Sequence, residues 1–186
     1  MRKLLVFALL AMAVSINADV DENLEYTYYV ANADPSISLL SILNAASPVR
    51  KNGRVFHAYT TWNVKWDFRW FEQPDGSCKI TGVSSKLTGN IQLPRLFGAS
   101  SSQKNQFDTY LSALRVHELG HYNIGRKAAE VIDQRILSLP GKPNCKSLAT
   151  TANDLANQVL SEYTEKGIQY DISTDYGRSQ GAWLIR

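Results

Sequence analysis

The sequence predicts an α+β fold in which an antiparallel sheet packs on one long helix and on a second helix near the C-terminus. Two observations favour this class. Apart from one short helix, the chain before residue 94 has the alternation of apolar and polar residues that is typical of strands, and two long helical patterns follow it. Strands followed by helices, rather than strands alternating with helices, are characteristic of α+β proteins.

The first 18 residues have the composition of a secretory signal peptide. Arg2 and Lys3 form a basic start, residues 4–14 are an apolar run, and Ala18 offers a small residue for cleavage. We therefore expect cleavage after Ala18 and a secreted or periplasmic protein whose residues 19–186 form a single domain. No other stretch of the chain is long enough to span a bilayer.

The strongest strand pattern covers residues 56–70. Alternate positions in this segment are mostly apolar or aromatic, which predicts a strand with one buried and one exposed face. The buried face is expected to carry Phe56, Ala58, Thr60, Trp62, Val64, Trp66, Phe68 and Trp70. Its tryptophans are expected in the core rather than in a ligand site. Further strands are expected at 25–31, 78–83 and 86–93, with a short helix at 36–46.

A long helix is expected over residues 104–139. Steps of three or four residues along it trace an apolar stripe that should face the core. The stripe contains Leu114, His117, His121, Ile124, Ala128, Val131 and Ile132. A second helix is expected over 147–166, ended by Gly167, and a tail of turns is expected from residue 170 onward.

His117 and His121 carry the strongest chemical signal in the chain. Four residues apart on a helix, they project from one face on consecutive turns, where two imidazoles can hold one zinc ion. Glu118 is one step round the helix and is expected to act as general base on a water at that ion. Burying two ionisable rings costs free energy unless something satisfies them. The alternative is therefore a pair of structural histidines that are satisfied by hydrogen bonds.

The third protein ligand that catalytic zinc requires stays open at this point. The remaining histidine, His57, is expected on the exposed face of its strand, where a solvent-facing or hydrogen-bonding role is favoured. Glu162 and Glu165 in the second helix are candidates by position alone. The tail offers further oxygen donors over residues 170–177, including Asp171.

The charge balance argues against nucleic acid as a partner. The formal net charge is +3, and it falls to +1 when the two positive charges of Arg2 and Lys3 leave with the signal peptide. No basic run or arginine-rich face is present in the sequence, whereas nucleic-acid-binding domains usually carry one.

Cys78 and Cys145 are the two cysteines of the chain. One disulfide between them fits an exported protein, and closing so long a loop would stabilise the fold by ~4 kcal/mol in the chain-entropy model. Two free thiols or two zinc ligands are the alternatives, although the cysteines lack the close spacing of a typical zinc site.

Several segments together resemble a bacterial family of secreted proteins assigned as zinc-dependent proteases, domain of unknown function 922. The segments that carry the resemblance are 60–64, 76–78, 93–94, 117–121, 170–171, 174–177 and 180–182. The resemblance implies a zincin-like fold with an exported zinc site. In that family histidine usually stands where this chain has Tyr176. The resemblance therefore implies that the Tyr176 phenolate or Asp171 serves as the third ligand, or that the metal has been lost.

The leading hypothesis is an exported zinc metallopeptidase that acts on a peptide or protein substrate. His117 and His121 would bind zinc, and Glu118 would activate the water that attacks the scissile carbonyl. One alternative is an exported non-catalytic binding or structural module on a zincin scaffold. Another is a zinc amidase that acts on cell-wall material.

Overall fold

The computed structural model describes residues 20–51 and 53–184. The predicted signal peptide, residues 1–18, lies outside these described residues. Among them, no helix is both long enough and apolar enough to cross a membrane. The elements, in order, are β1 (Asp21–Asn32), α1 (Leu39–Ala46), β2 (Val49–Lys51), β3 (Arg54–Phe56), β4 (Tyr59–Glu72), β5 (Cys78–Phe97), α2 (Ser101–Leu137) and α3 (Cys145–Ser173), and a short 3-10 turn at Arg178–Gln180 follows.

The main sheet is mixed, and the prediction of a purely antiparallel sheet is wrong. Its strand order is β1-β5-β4. β4 and β5 form an antiparallel hairpin, whereas β1 pairs in parallel with β5, as in Tyr26 beside Ile91. The chain passes through α1, the small β2–β3 hairpin and β4 before β5, and this long connection permits the parallel pairing. The α+β class itself is confirmed.

β5 is one strand of 20 residues rather than the two strands expected at 78–83 and 86–93. The expected break contained polar residues, but Ser85 is buried within the strand and donates a hydrogen bond to Asp133 of α2. A buried hydroxyl with a partner is compatible with a continuous strand. The alternating pattern of β4 persists as far as Phe68. It ends where the pairing with β5 shifts between Arg69 and Trp70. The expectation that Trp70 is buried is therefore wrong, since 45 % of its surface is exposed.

The core lies between the sheet and the two long helices. α2 packs on β4 and β5, and α3 packs on α2. The predicted apolar stripe of α2 is confirmed, since its members are buried or half-buried. The largest fully buried side chains of the core include Leu87, Ile91, Leu93, Ile132, Ile136, Leu148 and Val159.

α3 extends from Cys145 to Ser173, well beyond the predicted end at Gly167. A methyl group at Gly167 would lie 3.8 Å from Nδ1 of His121, so this glycine sits where α3 approaches the histidine helix. Packing against α2 outweighs the weak intrinsic helix preference of glycine. Asp171 is therefore part of a helix and not of a loop. The predicted disulfide between Cys78 and Cys145 is present and joins the start of β5 to the start of α3.

His57 is buried, so its expected place on an exposed strand face is wrong, whereas the hydrogen-bonding role that was the alternative to solvent exposure is confirmed. It lies just before β4 with 8 % of its surface exposed. Its Nε2 donates to Oδ1 of Asn44 at 2.9 Å, and its Nδ1 accepts from the hydroxyl of Tyr110 at 2.7 Å. Both ring nitrogens are thereby satisfied in the neutral imidazole, and the residue has a structural role.

Burial lowers the pKa of His57 to about 4. Since the folded protein then binds fewer protons than the unfolded chain, this residue destabilises the fold as the pH falls from about 6.5 to 4. The loss amounts to about 3 kcal/mol at pH 4. Urea unfolding of the wild type and of His57→Gln across this range should show the two free energies of unfolding converging by that amount toward low pH. Parallel curves would contradict the assignment.

Candidate metal centre

His117 and His121 lie on consecutive turns of α2 and face α3. Their ring centroids are 4.9 Å apart and the ring planes are nearly perpendicular, at 87°. His117 is buried and His121 is half-buried. The helix brings both rings to the core-facing side, as the sequence pattern predicts. Two imidazoles therefore meet at one side of α2, beside the C-terminal turn of α3.

Asp171 of α3 completes a cluster with the two histidines. Its Oδ1 lies 2.8 Å from Nε2 of His121 and 3.2 Å from Nε2 of His117. One oxygen and two nitrogens of the types that bind zinc thus lie within 4.8 Å of one another. In a tetrahedral site with bonds of 2.0–2.1 Å, ligand atoms are about 3.3 Å apart. The two distances to Asp171 would only have to lengthen by a fraction of an ångström to reach this spacing, so the three side chains could hold a zinc ion.

Hydrogen bonds within the cluster dominate its electrostatics. Burial by itself raises the pKa of Asp171, but the hydrogen bonds from His117 and His121 outweigh it and hold that pKa well below the usual range of a carboxyl group. Burial likewise opposes protonation of His117. Its hydrogen bonds with Asp171 and Gln180 nevertheless raise the pKa of that imidazole above its ordinary value. Asp171 is therefore an anion whose charge is directed at the two rings.

Glu118 is buried between α2 and the sheet, with 5 % of its surface exposed. The hydroxyl of Thr60, on β4, donates to Oε2 of Glu118 at 2.7 Å and so fixes the orientation of the carboxylate. Burial raises the pKa of Glu118, while the hydrogen bond from Thr60 and the two nearby histidines act in the opposite direction. A carboxyl group with a raised pKa is suited to accept a proton and then to release it.

Tyr170, the residue before Asp171, packs directly on both histidines. Its ring is stacked on His117, with centroids 5.1 Å apart and planes at 12°, and it meets His121 edge-on at 5.0 Å. The tyrosine comes so close to α2 that a methyl group at Gly120 would lie 2.1 Å from its hydroxyl oxygen. The sequence reasoning gave Tyr170 no role. The glycine between the two histidines was the available signal, because it marks a close approach of another group.

The other candidates for the third ligand have different neighbours. Tyr176 is 41 % exposed, and its ring packs against Phe56 and the guanidinium of Arg54. Glu162 pairs with Arg135 at 3.0 Å. Glu165 accepts a hydrogen bond from a glutamine on its own helix. Of the alternatives left open by the sequence, Asp171 is the one that joins the two histidines.

The contact of Tyr170 with Gly120 leads to a prediction about two helical glycines. Gly120→Ala should destabilise the protein by about 1–3 kcal/mol, because the added methyl group overlaps the tyrosine and forces the helices apart. Gly167→Ala is the matched control, since its methyl group meets ordinary contact distances. It should stabilise α3 by about 0.5–1 kcal/mol. Urea unfolding of both variants measures the difference, and equal stabilities would show that the contact is not close.

Residues 26–177 match the model of a family described as bacterial protein of unknown function (DUF922). The matched range includes the two histidines, Glu118 and Asp171. Searches of the curated proteins and of the solved structures found no match to this chain. Since the family match spans well over half of the sequence, the chain belongs to this bacterial family of unknown function.

Proposed function

We propose that the protein is an exported zinc-dependent hydrolase that cleaves peptide bonds. The observation that carries the proposal is the convergence of three ligand-type atoms, Nε2 of His117, Nε2 of His121 and Oδ1 of Asp171, with Glu118 as the next residue on the same helix. Two histidines and one carboxylate form a common ligand set of catalytic zinc, in which one position stays open for water or substrate.

Each side chain has a role that follows from its position. His117, His121 and Asp171 would hold the ion. When bound, zinc supplies Lewis acidity, lowering the pKa of a water toward neutrality and polarising a carbonyl. Glu118 would take the proton of that water and pass it to the leaving amine. Thr60 holds the carboxylate of Glu118 in place, so that the base does not have to reorient during the reaction.

The sheet supports a peptide as substrate. β4 is an edge strand of the three-stranded sheet, and it carries the threonine that contacts Glu118. The free edge of a strand can align an extended peptide through main-chain hydrogen bonds. A peptide along β4 near Thr60 would therefore pass the proposed catalytic carboxylate. The disulfide supports export, because such bonds are typical of proteins outside the cytoplasm.

The ligand set predicts which variants lose the metal. The purified wild type should contain zinc in about equimolar amount, and Asp171→Ala should lose it, because two imidazoles alone bind the ion weakly. Tyr176→Phe removes the phenol oxygen and should keep the zinc. Metal analysis after dialysis decides the question. If Asp171→Ala kept the zinc and Tyr176→Phe lost it, Tyr176 rather than Asp171 would be the third ligand.

The role of Glu118 is tested by a substitution of the same shape. Glu118→Gln keeps an oxygen that can accept from Thr60 but cannot take a proton at neutral pH. Zinc content should stay unchanged, while turnover of unfolded protein or of a peptide mixture should fall by roughly 10²–10⁴-fold. A Glu118→Gln enzyme as active as the wild type would rule out this mechanism.

A non-catalytic module remains the second candidate, and one observation favours it. When its ring is protonated, His117 donates from both nitrogens, to Asp171 and to Gln180, as a purely structural cluster would require. In that case the wild type would bind no zinc, and His117→Ala would affect stability alone. A zinc amidase would bind the metal, and a panel of peptides and cell-wall fragments distinguishes it from a peptidase.

A further inference from the structure

Gln180 lies beyond the C-terminal end of α3, in the 3-10 turn that follows it. We infer that Gln180 is a positioning residue for His117: its side chain holds the ring proton on Nδ1 and thereby leaves Nε2 free to face Asp171 and His121. The expected effect of Gln180 on zinc affinity rests on the proposed function. Its effect on the tautomer of His117 can be measured without any metal.

The hydrogen-bond distances favour this tautomer. Nδ1 of His117 lies 2.9 Å from Oε1 of Gln180, whereas its Nε2 lies 3.2 Å from Oδ1 of Asp171. Asp171 makes its shorter contact, 2.8 Å, with His121 instead. A neutral imidazole has a single N–H to donate. In the neutral ring of His117 the carboxylate of Asp171 and the amide oxygen of Gln180 compete for that proton, and the short contact with Gln180 raises the share of the Nδ1 tautomer.

The amide of Gln180 bridges Tyr170 and His117. Its Nε2 group donates to the hydroxyl oxygen of Tyr170 at 2.9 Å, and its Oε1 faces Nδ1 of His117. An amide in the reverse orientation would present a donor to Nδ1 and favour the opposite tautomer. The ring of Tyr170 is itself stacked on His117. Tyrosine, amide and imidazole thus form one connected hydrogen-bonded unit.

The backbone between α3 and Gln180 adopts an unusual conformation that brings the amide to this position. Asp175, Tyr176 and Gly177 have positive φ angles of 49°, 54° and 82°. The first two are not glycines, and left-handed conformations of such residues persist only where surrounding contacts maintain them. Gly177 packs on the histidine, since a methyl group there would lie 3.0 Å from Cγ of His117. The turn folds the chain back over the ring.

The consequence for metal binding is chemical. A zinc ion binds an imidazole through a nitrogen without a proton, and the other nitrogen usually donates to a nearby acceptor that fixes the ring. Removal of such an acceptor typically weakens metal binding by about 10–100-fold. Gln180 provides that acceptor for His117.

The test compares two variants of Gln180 with a matched surface glutamine, using full-length protein and competition with a zinc chelator. Gln180→Met has a similar length and no acceptor, and it should raise the zinc dissociation constant by about 10–100-fold. Gln180→Glu retains an acceptor oxygen and should stay within a few-fold of the wild type. Gln158→Met, on the exposed side of α3, should behave as the wild type. Equal affinities for wild type and Gln180→Met would overturn the inference.

A second measurement keeps the outcome separate from the proposed function. In metal-free protein, at a pH where the ring is neutral, nitrogen-detected NMR measures the share of His117 that is protonated at Nδ1. Gln180→Met should shift the population toward the Nε2 tautomer, and Gln180→Glu should not. If the wild type bound no zinc, the proposed function would fail, and the tautomer ratio would still decide the role of Gln180. An unchanged ratio in Gln180→Met would refute that role.

Discussion

One close contact between two helices determines where the polar groups of the site lie. The ring of Tyr170 on α3 packs against α2 at Gly120, where any side chain would overlap it. This contact sets the distance between the helices at the level of the two histidines. Asp171 is the next residue along α3, so the approach that seats the tyrosine also delivers the carboxylate to both Nε2 atoms. Tyr170 therefore sets the helix packing, and its neighbour Asp171 supplies the charge that the histidines require.

The polar groups of the site are costly to bury and compensate one another in pairs. His117, His121, Asp171 and Glu118 would each destabilise an apolar interior if left without a partner. Glu118 accepts a hydrogen bond from the hydroxyl of Thr60 on the sheet, and the two histidines share the carboxylate of Asp171. Every partner comes from a different element, namely β4, α3 or the turn after α3. The site thus forms only when the sheet and both helices have come together, which links its geometry to the complete fold.

Local patterns predicted the parts of this protein that depend on local physics. The stripe on α2 and the alternation in β4 as far as Phe68 both follow from periodicity within one element, and the structure agrees with both. The parallel pairing of β1 with β5 and the extension of α3 past Gly167 depend on contacts between elements, and the sequence patterns did not contain them.

The same division applies to the site. The spacing of His117, Glu118 and His121 is visible within five residues of one helix. The approach of Asp171 depends on how α3 packs, and the role of Gln180 depends on a turn with positive φ angles at Asp175 and Tyr176, residues that rarely adopt them. The family resemblance made Tyr176 a candidate for the third ligand. Its contacts with Phe56 and Arg54 could not be read from that resemblance.

The disulfide and the histidine cluster hold α3 at its two ends, the first to β5 and the second to α2. Cys145 starts α3, and Asp171 lies 26 residues further on, about 39 Å away along a straight helix. Between these two points α3 is held to the rest of the protein by packing and by polar contacts such as the ion pair of Glu162 with Arg135. The disulfide holds the first end under oxidising conditions, so we expect local opening of α3 to start at the end that carries Asp171. A metal ion bound there would then stabilise this end of α3 reversibly. Its loss would expose the last turns of α3 to proteases, while the fold around the disulfide stays intact.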